Sequence, residues 1–230
     1  IQTHGDKTMK RLIILCVILL ASLAFVNAQT IADYTFSTFT NGTLTDMSSG
    51  TTTLLTGYSD SGVTPVTDFG FSFTFAGTSY TQFSANANGL MRLGATAITA
   101  SSIPIANAAM LGPISGDNSI QSTGKIHYKV IGSAPDRILV VEWLNLRVNY
   151  SSSDTTGPFY TMQALLYETS NRIEYVYGTM HNRSTSSQSR AVFISSGTTS
   201  GAIGCVATIT TTPSWVTSGT SLTTTSFAAS

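Results

Sequence analysis

Charged residues and cysteine are both scarce in this sequence. Asp, Glu, Lys and Arg together make up 10% of the 230 residues, well below the roughly 25% that is usual for soluble domains. The formal net charge is +0, and the basic residues are scattered singly along the chain. Because proteins that bind nucleic acid or charged membrane surfaces concentrate Lys and Arg in patches, we expect neither as a partner.

The chain has two cysteines, Cys16 and Cys205. Cys16 lies in an apolar segment that we expect to be removed from the mature protein, so Cys205 would remain alone and could not form an internal disulfide. Apolar residues typical of a strand surround Cys205, and His127 and His181 are the histidines that the mature chain would retain. A buried structural cysteine is therefore favoured over a nucleophile.

The N-terminal segment has the pattern of a secretory signal peptide. Two basic residues precede an apolar run from Leu12 to Phe25, and small residues follow it. The run is shorter than the roughly 20 residues that a membrane-spanning helix needs. We therefore predict a signal peptide over residues 9–28, cleaved between Ala28 and Gln29, with no membrane span in the mature protein. Residues 1–8 are expected to be a leader outside the native structure.

Beyond residue 28, the abundant Thr, Ser, Gly and aromatic residues favour strands and turns. The clearest apolar pattern places Phe69, Phe71, Phe73 and Phe75 on alternate positions, the period of a half-buried strand. We interpret these four rings as the buried face of a strand in a sheet-on-sheet core. Eight strands are predicted in all: Phe69–Phe75, Leu90–Leu93, Lys125–Ile131, Arg137–Val148, Phe159–Glu168, Arg172–Tyr177, Ala191–Ser195 and Ala202–Thr210.

Short strands punctuated by turns, with no helical period after residue 28, predict an all-β fold. We expect an antiparallel, jelly-roll-like β-sandwich over residues 29–210, preceded by the N-terminal signal-peptide helix. Residues 211–230 are rich in Thr and Ser and read as the start of a linker or as a truncated end.

Catalytic motifs and metal-site spacings are not apparent in the sequence. A glycosidase would need two facing carboxylates, and three acids lie in or at the end of predicted strands: Glu142, Glu168 and Glu174. We favour solvent-face positions for them, paired across strands with basic residues, namely Arg147, Arg172 or Lys129. We therefore predict no catalytic residue and no enzymatic activity.

Metal binding is also not indicated. His127 lies on a predicted strand between two lysines, where an exposed side chain is expected, and His181 lies in a polar loop without a second ligand at metal-site spacing. The turns Ser115–Ser119 and Asp60–Gly62 offer oxygen atoms, but they lack the dense acidic spacing of a calcium loop, and Asx turns account for both. No metal-binding or cofactor-binding residue and no cofactor is predicted.

One connection is longer than a plain hairpin requires. It joins the predicted strands Arg137–Val148 and Phe159–Glu168, with Tyr150 near its start, Asp154 within it and Phe159 at its end. Long loops held by a rigid sandwich commonly carry recognition. We predict a ligand-binding loop formed by Tyr150, Asp154 and Phe159, with a mobile solvated loop as the alternative.

Three stretches in this order resemble a known group of extracellular domains: DFGFSFTFAGTSYTQFSANANGLMRLG, RILVVEWLNLRV and FYTMQALLYETSNRIEYVYG. They resemble the β-sandwich head of large secreted bacterial proteins exported by the type IX system, and they are similar in order to nidogen-type domains. The resemblance covers residues 31–210. It implies an extracellular, noncatalytic module associated with adhesion or matrix, commonly one piece of a longer chain. It also implies that Asp154-Thr155-Thr156 is an O-glycosylation pattern, with Thr155 modified.

We therefore expect a secreted or cell-surface β-sandwich module for adhesion or ligand binding, forming a piece of a longer protein. Its expected partner is an extracellular protein or glycan surface. Two alternatives from other classes stay open. One is the accessory domain of a secreted hydrolase, and the other is a structural subunit that polymerises through exposed strand edges. The sequence indicates no oligomeric state.

Overall fold

The computed structural model describes residues 29–39, 42–148, 159–178, 188–197, 203–211 and 224–229. Within these ranges a short 3-10 helix (Ile31–Asp33) precedes thirteen strands: β1 (Tyr34–Phe39), β2 (Thr52–Thr56), β3 (Thr67–Phe75), β4 (Thr78–Ala85), β5 (Met91–Leu93), β6 (Met110–Ser115), β7 (Asn118–Ile131), β8 (Ile138–Val148), β9 (Tyr160–Tyr167), β10 (Ile173–Tyr177), β11 (Gln188–Ser195), β12 (Ile203–Thr211) and β13 (Thr224–Ala229). No helix in these ranges is long and apolar enough to cross a membrane.

The strands form two antiparallel sheets. The seven-stranded sheet has the order β1-β13-β10-β9-β8-β7-β2, and the six-stranded sheet has the order β12-β11-β6-β5-β4-β3. The predicted all-β antiparallel sandwich is thus confirmed, and each of the eight predicted strands is present. The sequence reasoning missed β1, β2, β4, β6 and β13. Since β13 pairs with both β1 and β10, the sheet includes residues 224–229, which belong to the segment 211–230 that was expected to be the start of a linker or a truncated end.

The phenylalanine stripe forms part of the core, as predicted. Along β3 the rings of Phe69, Phe71, Phe73 and Phe75 are buried, and the residues between them are exposed or half-buried. Gly70 has φ +80°, a conformation that glycine adopts without strain, and its N–H donates to Asp68 Oδ1 at 2.6 Å. This irregularity leaves all four rings on the inner face, opposite the buried inner residues of the seven-stranded sheet.

Strand β3 lies at the edge of its sheet and crosses the ends of several strands of the other sheet. Three contacts show this path: the Arg137 guanidinium donates to Gly70 O (2.7 Å), Thr74 N–H donates to Asn171 Oδ1 (2.8 Å), and Ala76 N–H donates to the Tyr34 hydroxyl (3.1 Å). These side chains come from the start of β8, the β9–β10 turn and β1. They occupy backbone groups that an edge strand otherwise offers to another chain.

The connection between β1 and β2 crosses the outer face of the seven-stranded sheet, because these two strands lie at its opposite edges. Its described part, residues 42–50, is called the crossing segment here. Leu44 and Met47 of this segment pack on outward-facing apolar side chains of β8, β9 and β10, which are Val140, Leu165 and Val176. The central strands of the sheet are therefore covered on both faces.

Candidate functional site

Most of the predicted site residues lie outside the described residues. These are Ala28 of the cleavage site, Tyr150 and Asp154 of the ligand loop, and the glycosylation candidate Thr155. Gln29 is half-buried ahead of the 3-10 helix, and Phe159 is half-buried directly before β9. The proposed roles of all six residues stay predictions.

The structure does place the two ends of the predicted ligand loop. Strand β8 ends at the buried Val148, and β9 begins at the buried Tyr160. Both strands are interior strands of the seven-stranded sheet, so the loop leaves the sandwich from the middle of this sheet. We call this end of the molecule the loop end and assign to it the neighbouring loops 57–66, 86–90 and 94–109.

Buried asparagines fix the base of the loop end. Asn118, the first residue of β7, is the register partner of Val148. Its backbone N–H donates to Asn88 Oδ1 at 3.1 Å, and its Nδ2 donates to Asn88 O at 2.9 Å. Asn88 Nδ2 in turn donates to Ala100 O at 3.1 Å. These bonds tie the start of β7 to the loops 86–90 and 94–109.

Asn86 holds the same loops from the side of the core. Its Nδ2 donates to the carbonyls of Thr99 and Ser101, each at 2.8 Å, and its Oδ1 accepts from Leu90 N–H at 3.1 Å. The indole N–H of buried Trp143 donates to Asn86 O at 2.8 Å. The Asn86 side chain thus satisfies both of its amide hydrogens without water.

Gly89 completes this turn for a steric reason. Its φ is +82°, and a Cβ at this position would lie 2.2 Å from Ile114 O. A larger residue would therefore push the turn away from β6. The sequence reasoning missed the role of Asn88-Gly89 as a rigid base for the loops.

Exposed apolar side chains concentrate near this base. Among the described residues, the large hydrophobic side chains that are exposed are Tyr58 (48%), Val63 (42%), Ile103 (66%) and Val130 (37%). The first three belong to loop-end loops: Ser59 bridges to Ile120, Val63 bridges to Asn86, and Ser102 O accepts from the Ser115 hydroxyl. Exposed apolar groups on a rigid base are typical of recognition surfaces.

A second polar arrangement lies on the outer face of the seven-stranded sheet. His127, Glu142 and Gln163 are register neighbours on β7, β8 and β9. His127 Nε2 lies 2.7 Å from Glu142 Oε1, and Gln163 Nε2 donates to Glu142 Oε2 at 2.6 Å. We refer to these three residues as the polar row. Their exposed fractions are 1%, 5% and 0%, respectively.

The polar row corrects two predictions. Glu142 was expected on the solvent face, paired across strands with Arg147, Arg172 or Lys129, and His127 was expected to be exposed. Both side chains are buried, so both expectations are wrong. The reason is the crossing segment, which runs over this face and contacts it directly. Lys129 Nζ donates to Asp46 O and to Ser49 O of that segment. This lysine therefore binds the crossing segment and does not pair with Glu142.

The other two strand carboxylates are paired near the opposite end of the sandwich. Arg172, directly before β10, lies 3.0 Å from Glu174 within β10. Arg172 was one of the predicted partners of the strand carboxylates, but across strands and not two residues away along the chain. Glu168 is bound by Arg137 through two guanidinium nitrogens, at 2.7 and 2.6 Å, a pairing that was not predicted. The hydrogen bond from Arg137 holds the pKa of Glu168 below its usual value. Together with the bond from Arg137 to Gly70 O, this pair joins the two sheets.

A surface cavity of about 170 Å³ lies beside this pair, lined by Asp136, Arg137, Tyr167, Glu168, Thr169 and Ser170. Arg137 and Glu168 are engaged with each other there. Tyr167 is also engaged, since its hydroxyl donates to Glu174 at 2.5 Å and the Arg172 guanidinium lies 3.8 Å from its ring centroid. The arrangement therefore serves as an inter-sheet clamp.

Metal ligation is not supported by any cluster in the part of the chain that the structure describes, since no three His, Cys, Asp or Glu side chains converge there. In the turn Ser115–Ser119, the Ser115 hydroxyl and the Asn118 amide are bonded within the protein. Asp60, in the other turn considered for calcium, lies 3.5 Å from the hydroxyl of Ser61.

Comparison with known proteins adds a family match. A family model described as "NIDO related" (nidogen-related) matches residues 33–230. The comparisons with curated proteins and with solved structures found no match. The match spans most of the chain and includes both sheets, the loop end and the polar row.

Proposed function

Because the chain belongs to the NIDO-related family, we propose that it is an extracellular, noncatalytic β-sandwich module that binds a partner through its loop end. Membership of a nidogen-related family fits an extracellular module. The loop end is the observation that carries the binding role, since its exposed apolar side chains lie on loops that are tied to the sandwich. Tyr58 and Val63 lie on the loop that bridges to Ile120 and Asn86, and Ile103 lies on the loop that buried asparagines hold. A rigid base lowers the entropic cost of binding.

The proposed partner is an extracellular protein or glycan surface. Aromatic side chains such as Tyr contribute strongly to protein contacts when they lie in the centre of an interface, and an aromatic ring such as that of Tyr58 also suits a sugar face. Adhesion would be the biological outcome if the partner belongs to a cell surface or matrix. The predicted loop with Tyr150, Asp154 and Phe159 would extend the same surface, because it leaves the sandwich at Val148.

We expect Ile103→Asp to reduce partner binding by roughly tenfold or more, which corresponds to about 1.4 kcal/mol. The reason is that a carboxylate at a residue exposed over 66% of its surface would have to be desolvated on contact. Partners would first be identified on a glycan array and on an array of extracellular matrix proteins. The variants would then be titrated against the best-bound probe by surface plasmon resonance.

Val130→Asp is the matched control for this test. Val130 is an exposed apolar residue near the other end of β7, so the same substitution there should leave binding unchanged. Equal losses in the two variants, or no loss in Ile103→Asp, would move the binding surface away from the loop end. Circular dichroism of both variants would show that the fold is retained.

We also propose that the protein is exported through its N-terminal segment and, as the motif order suggests, through the type IX route of a bacterium. In a Gram-negative host the mature chain should begin at Gln29, because signal peptidase requires the small residue that Ala28 supplies. Mass spectrometry of the exported protein would show the new N-terminus. A secreted species that still contains residues 12–25 would contradict the export proposal.

The edge strand β3 does not support the alternative of a structural subunit that polymerises through exposed strand edges. The outward backbone groups of β3 at Gly70 and Thr74 are occupied by Arg137 and Asn171. Addition of another strand there would have to displace both contacts. We therefore keep the binding module as the proposed function.

A further inference from the structure

Several contacts fix the chain directly after Gln29. Thr30 N–H donates to Asp33 Oδ2 at 2.6 Å, the Thr30 hydroxyl donates to the same oxygen at 3.0 Å, and Asp33 N–H donates to Thr30 O at 3.2 Å. The next residue, Ile31, is 4% exposed and belongs to the main core cluster. The chain is therefore held against the sandwich from Thr30 onward, and Gln29 joins this fixed part to the predicted cleavage site.

The side chain of Gln29 can reach its own backbone nitrogen. It is half-buried, and within the described ranges no hydrogen bond holds its carboxamide. The backbone nitrogen and the carboxamide carbon Cδ of a glutamine are separated by Cα, Cβ and Cγ, so a bond between them closes a five-membered ring. This reach is set by the covalent structure and needs no approach of another residue. Thr30 and Asp33 keep their contacts, because none of their atoms enters the ring.

Cleavage before Gln29 would turn its backbone nitrogen into a nucleophile. In the uncut chain this nitrogen is part of a peptide bond, and resonance with the carbonyl occupies its lone pair. After cleavage it is an α-amine, and a fraction of such amines is unprotonated at neutral pH because they titrate at about pH 8. The half-buried position also favours a neutral group, since a charge that loses hydration is costly.

We propose that the mature protein begins with pyroglutamate at position 29, formed from Gln29 with release of ammonia. The lone pair of the α-amine attacks Cδ of the carboxamide, and the N–Cδ bond forms. The Cδ–Nε2 bond then breaks, and a proton from the attacking nitrogen passes to Nε2, which departs as ammonia. The product is a neutral lactam, and no oxidant or further reactant is needed. The inference rests on the proposed cleavage between Ala28 and Gln29 and is independent of the loop end.

The lactam would protect the N-terminal segment from aminopeptidases, which need a free α-amine. Removal of Gln29 and Thr30 would take away both Thr30 donors to Asp33 and would leave the buried Ile31 at the terminus. Strand β1 follows this segment directly and pairs with β13. A blocked terminus therefore preserves this edge of the seven-stranded sheet in a medium that contains proteases.

Peptide mass spectrometry of the exported full chain tests the proposal. Free amines would be labelled in the intact protein by reductive dimethylation, before chymotrypsin releases the peptide that ends at Tyr34. This peptide, QTIADY, has Gln29 as its one amide side chain, so a loss of ammonia in it must come from Gln29. We expect an unlabelled peptide whose mass is lower than that of QTIADY by the mass of one ammonia molecule.

The possible failures of this test are distinguishable. A dimethylated QTIADY peptide would overturn the proposal and leave the cleavage site intact. A terminus at another residue would contradict both the cleavage and the lactam. Cyclisation during later handling cannot mimic the expected result, because a dimethylated amine no longer forms the lactam.

Gln29→Asn is the matched variant. It keeps a carboxamide but shortens the side chain by one methylene, so the ring would have four members, and the terminus should be dimethylated. Gln29→Glu should also be dimethylated at neutral pH, since a carboxylate is a poor electrophile. In a timed digestion with an aminopeptidase, both variants should lose their first residue while the wild type stays intact. A wild type that is trimmed as fast as Gln29→Asn would overturn the proposal.

Discussion

Phe73→Ala is expected to lower the free energy of unfolding by about 3 to 5 kcal/mol, the usual cost of truncating a buried phenylalanine. Phe73 has an exposed fraction of 0% and lies in the middle of the stripe on β3. The loss combines the transfer energy of the ring with that of the cavity it would leave between the two sheets. A urea titration followed by tryptophan fluorescence would measure it, since Trp143 is buried in the same core cluster.

Thr74→Ala provides the control for this prediction. Thr74 neighbours Phe73 but lies on the other face of β3, half-buried, and its contact with Asn171 uses the backbone N–H. Its substitution should change the free energy of unfolding by about 0.5 kcal/mol or less. Similar small effects of the two substitutions would contradict a core role for the stripe.

Glu142→Ala is expected to be comparably destabilising, by about 3 to 5 kcal/mol, because each buried polar group left without its partner costs about 1 to 3 kcal/mol. The substitution would leave His127 and one hydrogen of Gln163 Nε2 without an acceptor beneath the crossing segment. Denaturant unfolding at neutral pH would give the value. Glu174→Ala, at the partly exposed pair with Arg172, should cost only about 1 kcal/mol.

The comparison between Glu142→Ala and Glu174→Ala tests whether the polar row is shielded from water. If Glu142→Ala cost no more than Glu174→Ala, water would have to reach the polar row and replace the lost contacts. Such a result would mean that the crossing segment does not seal the outer face. Equal stability of Glu142→Gln and the wild type would show instead that hydrogen bonding, and not charge, is what His127 requires.

The inner face of the sandwich was predictable because its signal is local. Four phenylalanines at a period of two can share one face only in a strand, and the structure buries all four. Strands such as β4 and β6 were missed because they carry no such local signal. Their sequences, TSYTQFSA and MLGPIS, lack a simple alternation, and their strand character comes from pairing with neighbours.

The outer face was not predictable from single residues. Glu142 and His127 are polar residues that alternate with apolar residues along their strands, a pattern that usually indicates a solvent face. Their burial follows from the positions of β1 and β2 at opposite edges, which send the connection across the sheet. A signal did exist, because Val140, Leu165 and Val176 point to that same face. Three apolar side chains on an apparent solvent face indicate that another segment of the chain packs on this face.

The loop end was predictable only in outline. The length of the β8–β9 connection located it, but the base depends on contacts between distant parts of the chain. Asn86 and Asn88 lie in one loop, and Asn118 lies at the start of β7. Short polar residues in turns are common, and their sequence does not reveal which of them will be buried. The Arg137–Glu168 pair is a further example, because the register of β8 and β9 brings these side chains together.

The position of β13 has a consequence for when this protein can fold. The strand pairs with β1 over six positions, from Tyr34 with Ala229 to Phe39 with Thr224, so almost the whole chain separates the two partners. During synthesis β1 has no neighbour in its sheet until residues 224–229 have been made. Folds dominated by such distant pairings form slowly. Completion of the seven-stranded sheet therefore waits for β13, however early the strands between β1 and β13 have paired.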